Sequence, residues 1–101
     1  MIYKIELLDE AKNDIMDYID SICYDYGLPK TASRIYAQLS YKINTLKKNP
    51  AQNTLRSGTW YLKYGLFVRR INFKSRAIIY TINEDVVYIH RIVSQNEITG
   101  M

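Results

Sequence analysis

The spacing of apolar positions changes midway along this chain, from steps of three and four residues to alternation. That change separates a helical first half from a stranded second half. Residues 2–8, IYKIELL, are enriched in Ile and Leu and predict a short N-terminal strand. Asp9 stands as an N-cap, and Glu10 and Asp14 favour a helix start through the macrodipole. Ala11, Ile15, Tyr18, Ile19, Ile22 and Tyr26 then recur at helical spacing and predict one apolar face. Gly27 suits a left-handed helix end, and Pro29 suits the first turn of a second helix. Ala32, Ile35, Leu39, Ile43 and Leu46 carry the period on, with Lys47 and Lys48 in the last turn and Pro50 as the stop. So short a connection makes the two helices antiparallel neighbours.

Residues 51–65 read as a linker, with Asn53, Ser57 and Gly58 as its loop signals. Beyond it, residues 66–73, 76–83 and 86–93 are β-rich, joined by Lys74-Ser75 and Glu84-Asp85. Turns that short predict hairpins, and hence an antiparallel meander. The polar tail SQNEITGM is expected to extend or fray. The expected class is α+β in the order β-α-α-β-β-β, with a helical hairpin on a small, mainly antiparallel sheet.

At 101 residues there is room for one core and one domain, spanning 1–101. No apolar run approaches the roughly 20 residues that cross a bilayer. The start, MIYKIELLDEA, lacks the apolar stretch of a secretory leader. Cys23 is the single cysteine, so no internal disulfide is expected. A cytoplasmic protein is the simplest expectation.

Charge sharpens the picture more than composition does. Asp9, Glu10, Asp14, Asp17, Asp20 and Asp25 lie in the first helical segment. Ten Lys or Arg fall between Lys42 and Arg91, against only Glu84 and Asp85. The sheet half therefore carries a positive surface suited to a phosphate-rich or acidic partner. The plainer alternative is that these side chains only solvate exposed strand faces.

The order of elements is similar to that of the RelE/ParE family of type II toxin–antitoxin toxins, known from plasmid stabilisation systems. In that family a first strand leads into a helix of pattern A-x-x-D-hydrophobic-x-x-aromatic-hydrophobic, met here by Ala11, Asp14, Ile15, Tyr18 and Ile19. Ile43, Leu46 and Pro50 match the end of its second helix. Arg76, Ile78, Ile79 and Tyr80 match a strand pattern R-x-hydrophobic-hydrophobic-Tyr, and Asp85, Val87, Ile89, Arg91 and Ile92 match the last strand. Many members close that strand with a His and basic residues, where this chain has Ser94, Gln95, Asn96 and Glu97. The resemblance implies a growth-inhibiting toxin neutralised by a cognate antitoxin, with no cofactor or metal. Three activities stay open: an mRNA endoribonuclease acting on the ribosome, a DNA gyrase inhibitor, or an antitoxin-binding module that has lost toxicity. The helical hairpin and the missing terminal basic cluster favour the second. In each, the antitoxin is expected to lay an acidic, extended or helical segment over the apolar and basic surface.

If RNA is cut, attack by a ribose 2′-OH needs a base, an acid and cations around the phosphorane. His90, the sole histidine, is the acid–base candidate, with Tyr80, Tyr88 or Lys74 as substitutes. Arg70 and Arg76 join His90 and Tyr80 as the catalytic set, and Arg69, Lys74, Arg91 and Lys63 as target-binding cations. A histidine in VVYIHRIV is more often a hydrogen-bonded packing residue. Alternation places His90 with Val86, Tyr88 and Ile92, and Arg91 on the opposite face, so the pair share a site only if a bulge intervenes. Either face of 66–73 has apolar company, so Arg69 or Arg70 needs a partner: an antitoxin or phosphate, or an aspartate of the first helix. The ten tyrosines read as core-edge residues or as stacking platforms for bases. Trp60 and Tyr61, with Leu62, form the best candidate for a protein contact.

Overall fold

The computed structural model describes residues 1–99. Strand β1 (Lys4–Leu7) leads into helix α1 (Asp9–Asp20), which widens into a π turn at Ser21–Asp25 before α2 (Pro29–Asn44). Strands β2 (Arg69–Phe73), β3 (Arg76–Asn83) and β4 (Val86–Ser94) follow as the expected antiparallel meander. The sheet order is β1-β4-β3-β2, with β1 parallel to β4, so the first and last strands are neighbours. The fold is α+β with the element order read from the sequence. Among the described residues no helix is long and apolar enough to cross a membrane.

Several boundaries move for physical reasons. Leu8, not Asp9, precedes the helix, because its backbone N–H is held in extended geometry by the Ile89 carbonyl at 3.0 Å. Asp9 and Glu10 instead occupy the first turn of α1, where their charge meets the helix dipole. The π turn adds a residue to the helical repeat, with the Tyr26 N–H reaching back to Ser21. Tyr26 is therefore rotated off the apolar stripe and is 73% exposed. Gly27 adopts φ +67° as expected, and Pro29 opens α2. Strand β2 starts three residues later than the periodicity predicts, since the chain bends through Gly65 at φ +129° and leaves Leu66 and Phe67 outside. Lys74 and Glu84 take left-handed backbone at the two hairpin turns, a strain of about 1–2 kcal/mol each for residues with a Cβ.

Two cores lie on opposite faces of the sheet. On one, Leu39, Ile43 and Leu46 meet Ile78, Tyr80, Val87, Ile89 and Ile92, with Ala11 at the closest approach of α1. On the other, Tyr61, Val68, Ala77, Ile79, Val93 and Ile98 form a smaller cluster. The linker supplies its lid as a 3₁₀ turn, Thr59–Tyr64. The tail supplies the rest: Gln95–Glu97 forms a second 3₁₀ turn and Ile98 is buried, where the sequence predicts fraying. The last two residues of that tail lie outside the described residues.

Candidate functional site

Register decides what the last strand can do. Tyr80 pairs with Ile89 and Ile79 with Arg91, so His90 is an extra residue in β4. This β-bulge breaks the alternation. Val87 and Ile89 before it, and Ile92 after it, all enter the helix-side core. His90 consequently does not share a face with Ile92, as plain alternation predicts. Its Nε2 lies 2.8 Å from the Thr81 hydroxyl, and its ring sits 5.5 Å from that of Tyr64. Burial pushes its pKa below the ordinary 6.5, with the charge of Glu10 pulling weakly the other way. Arg91 also reaches Tyr64, at 3.3 Å from the hydroxyl, so the bulge brings His90 and Arg91 to one aromatic ring.

Arg91 is nonetheless committed. Its Nε donates to Asp14 at 2.7 Å and its Nη2 to the other carboxylate oxygen at 3.2 Å, a two-pronged pairing. Glu10 and Glu97 stand at 3.6 and 3.9 Å. The guanidinium pKa is raised, chiefly by the hydrogen bond to Asp14. Asp14 further accepts from the Ile92 backbone N–H at 2.8 Å. Because β1 ends at Leu7, this stretch of β4 has a free edge, and the Asp14 side chain stands in for the absent strand. Sequence reasoning places Asp14 in the helix motif but misses this role; the A-x-x-D spacing, with Ala11 fully buried against the strand, is the signal.

The remaining arginines have no carboxylate partner among the described residues. Arg70 is held by three neutral acceptors: Asn72 Oδ1 at 2.8 Å, the Tyr61 hydroxyl at 3.1 Å and Gln95 Oε1 at 3.2 Å. Arg69 donates to the carbonyl oxygens of Ala51, at 3.0 Å, and of Asn53. Of the alternatives open for this pair, the first-helix aspartates are not their partners; linker carbonyls, amide side chains and the Tyr61 hydroxyl take that place within the chain. Arg76 lies with its guanidinium carbon 4.4 Å from the Tyr18 ring centre, on the helix side, and its buried Nε has no partner. It faces a small cleft of about 310 Å³ that includes Asp17, Ser94 and Glu97.

Two candidates are corrected by burial. Tyr80 is fully enclosed in the helix-side core, donating to the Pro50 carbonyl at 2.6 Å and accepting from Asn53 at 2.9 Å. Burial raises its pKa, against the lowering effect of Asn53 and Arg69. It cannot reach a substrate or share a site with His90 on the other side. Tyr61 is equally buried, a pillar of the second core and an anchor for Arg70, so it offers no partner contact. Trp60 packs against it edge-on at 5.3 Å, and Lys63 lies 4.8 Å above the Trp60 ring and 5.3 Å from that of Tyr64. Lys74 sits at the β2–β3 turn, 5.7 Å from the Phe73 ring. Tyr88, paired in register with Thr81, is half-buried. Gln95, which no sequence signal marks, ties Arg70 to the Lys74 carbonyl at 2.8 Å. Among the described residues no three His, Cys, Asp or Glu side chains converge as metal ligands would.

A different feature lies on the far edge of the sheet. A groove of about 700 Å³ runs between the unpaired side of β1 and the helices. Ile2, Tyr36 and Ile15 give it apolar walls, and Lys4, Lys12 and Lys47 outnumber Glu6 along it.

Comparison with known proteins places this arrangement. A family model described as the ParE toxin of the type II toxin–antitoxin system parDE matches residues 5–99. Among solved structures, the chromosomal ParDE system of P. aeruginosa contains a chain of like fold. The TM-score is 0.73 at 16% identity, covering 92% of this chain and 96% of that one. A copper-bound mutant toxin from Helicobacter pylori aligns with a TM-score of 0.54 at 14% identity, over 98% of this chain and 100% of its own. No curated protein matches significantly.

Proposed function

The chain belongs to the ParE toxin family of type II toxin–antitoxin systems, and from that premise we propose that it arrests growth by binding DNA gyrase in the cytoplasm, without cutting RNA. One observation carries this reading: the sheet separates the groups a nuclease would need to gather. Cleavage through a ribose 2′-OH requires a base, an acid and cations about a single phosphate. Here Arg76 stacks on Tyr18 of α1 and Tyr80 lies in the helix-side core. His90 and Arg70 are held on the other side by Thr81, Tyr61 and Gln95. Arg91, the cation nearest His90 in the chain, is already matched by Asp14, Glu10 and Glu97.

The ParDE assembly of the structural neighbour supports an antitoxin partner. The β1-edge groove suits an acidic, extended segment of such a partner, because it combines unpaired strand backbone, apolar walls and excess lysine. The nuclease reading keeps one point in its favour: Arg70 is positioned entirely by neutral acceptors, so its charge is left for a phosphate.

Induction in a sensitive host, with transcript integrity and gyrase-dependent DNA breaks followed together, tests the proposal. Intact transcripts with gyrase-dependent breaks are expected. Rapid transcript cutting that disappears in His90→Ala or Arg76→Ala would overturn it. No growth defect at all would leave an antitoxin-binding module.

A further inference from the structure

We propose that the loop face formed by Leu55, Leu62, Leu66 and Phe67 is the surface with which this protein grips its target, an acidic protein surface carrying an apolar recess. The proposal rests on the reading of the chain as a growth-arresting toxin and adds where, and to what chemistry, it binds. These four side chains are 43%, 57%, 77% and 69% exposed. They lie within one short stretch of a chain whose neighbouring apolar residues, Tyr61 and Val68, are almost wholly buried. Exposure on that scale within one loop marks interaction surface more often than chance.

The loop is built to hold them out. Leu55 pairs with Arg69 in antiparallel register, and the Arg56 N–H donates to the Val68 carbonyl at 2.8 Å. Leu66 and Phe67 lie in the bend just before that pairing, outside β2 and exposed. Gly58 and Gly65, both at positive φ, bracket the turn that carries Leu62. Trp60 and Tyr64 close the turn from beneath, their rings 5.4 Å apart.

Charge selects the occupant. From Ala51 to Asn83 the chain has no Asp or Glu, while Arg56, Lys63, Arg69, Arg70, Lys74 and Arg76 all fall within it. Among the described residues every ion pair belongs to Arg91, so these charges are not neutralised by carboxylates of the chain itself. Apolar anchors in such a field are complemented by carboxylates around an apolar pocket. Three of the four anchors are leucines, which offer no face for base stacking, so a protein fits better than a nucleic acid. The surface also adjoins β2, at the edge of the sheet opposite β1. An antitoxin segment in the β1 groove would leave it open.

Two double variants test this, Leu66→Ser with Phe67→Ser and Arg56→Glu with Lys63→Glu, each confirmed as folded by its thermal transition. Both are expected to lose growth arrest, and affinity for purified DNA gyrase, by about tenfold or more, as for hot-spot residues. If gyrase does not bind the unaltered protein but both variants still lose growth arrest, the surface stands and the gyrase reading falls. Undiminished arrest in either variant would overturn the surface. Binding of the unaltered protein to anionic phospholipid vesicles or to a single-stranded oligonucleotide, abolished by Leu66→Ser with Phe67→Ser, would replace the protein partner and overturn it equally.

Discussion

The helix-covered face of the sheet is closed by regular elements, with Leu39, Ile43 and Leu46 lying on Ile78, Ile89 and Ile92. The opposite face is closed by a 3₁₀ turn and a tail, and among the described residues six buried ones fill it. Its perimeter is polar: Arg70 and Gln95 are tied there by several hydrogen bonds each, and Thr81 to His90 by one. Stability is thus concentrated on one side, and Arg70, His90 and the Thr59–Tyr64 turn with its exposed Leu62 are mounted on the other. A face with few buried contacts opens locally at low cost, which suits a surface that must adapt to a partner.

The sharpest way to break that contrast is to truncate one buried residue on each face. Leu39→Ala, removing a fully packed side chain between α2 and the sheet, should cost about 4 kcal/mol in chemical denaturation, while Ile98→Ala in the thin core should cost about 2 kcal/mol. Equal losses would mean the two faces contribute alike. Asp14→Ala probes the seam between them. It leaves the Arg91 guanidinium half-buried with weaker partners and orphans the Ile92 N–H, for an expected loss of roughly 2–3 kcal/mol in thermal unfolding.

A gentler probe is pH. Burial lowers the His90 pKa, so the unfolded chain takes up a proton before the native state does. Native stability should therefore fall as pH drops below 6.5, with a slope of at most about 1.4 kcal/mol per pH unit from this residue. His90→Gln should flatten that part of the profile, and an unchanged slope would show that the ring is not buried as described. The smallest effect belongs to Lys63→Ala, about 0.5 kcal/mol from a cation over two partly exposed rings, measurable by a double-mutant cycle with Trp60→Leu.

Much of the helix-side architecture is legible in the sequence because it is periodic. The stripe Ala32, Ile35, Leu39, Ile43 is buried at every position, and the hairpin turns fall at Lys74-Ser75 and Glu84-Asp85 as read. Tyr26 misleads because a π turn leaves no compositional trace. The bulge leaves a faint one: His90 and Arg91 are adjacent polar residues where a one-sided strand allows only one, and the core positions shift from Val87 and Ile89 to Ile92. The partners of Arg69 and Arg70 are beyond such reading, since backbone carbonyls of an aperiodic linker supply the first and Asn72, Tyr61 and Gln95 the second. Tyr61 and Tyr80 read as core-edge or stacking residues in sequence and are core in fact, because their hydroxyls find hydrogen-bond partners inside, Tyr61 accepting from Arg70 and Tyr80 donating to the Pro50 carbonyl.

The parallel pairing of Lys4 with Val86 ties the first strand to the last of the four. A nascent polypeptide emerging from its own ribosome must hold that first strand unmatched until β4 has been made. Synthesis halted before Val86 therefore yields a piece unable to complete its sheet.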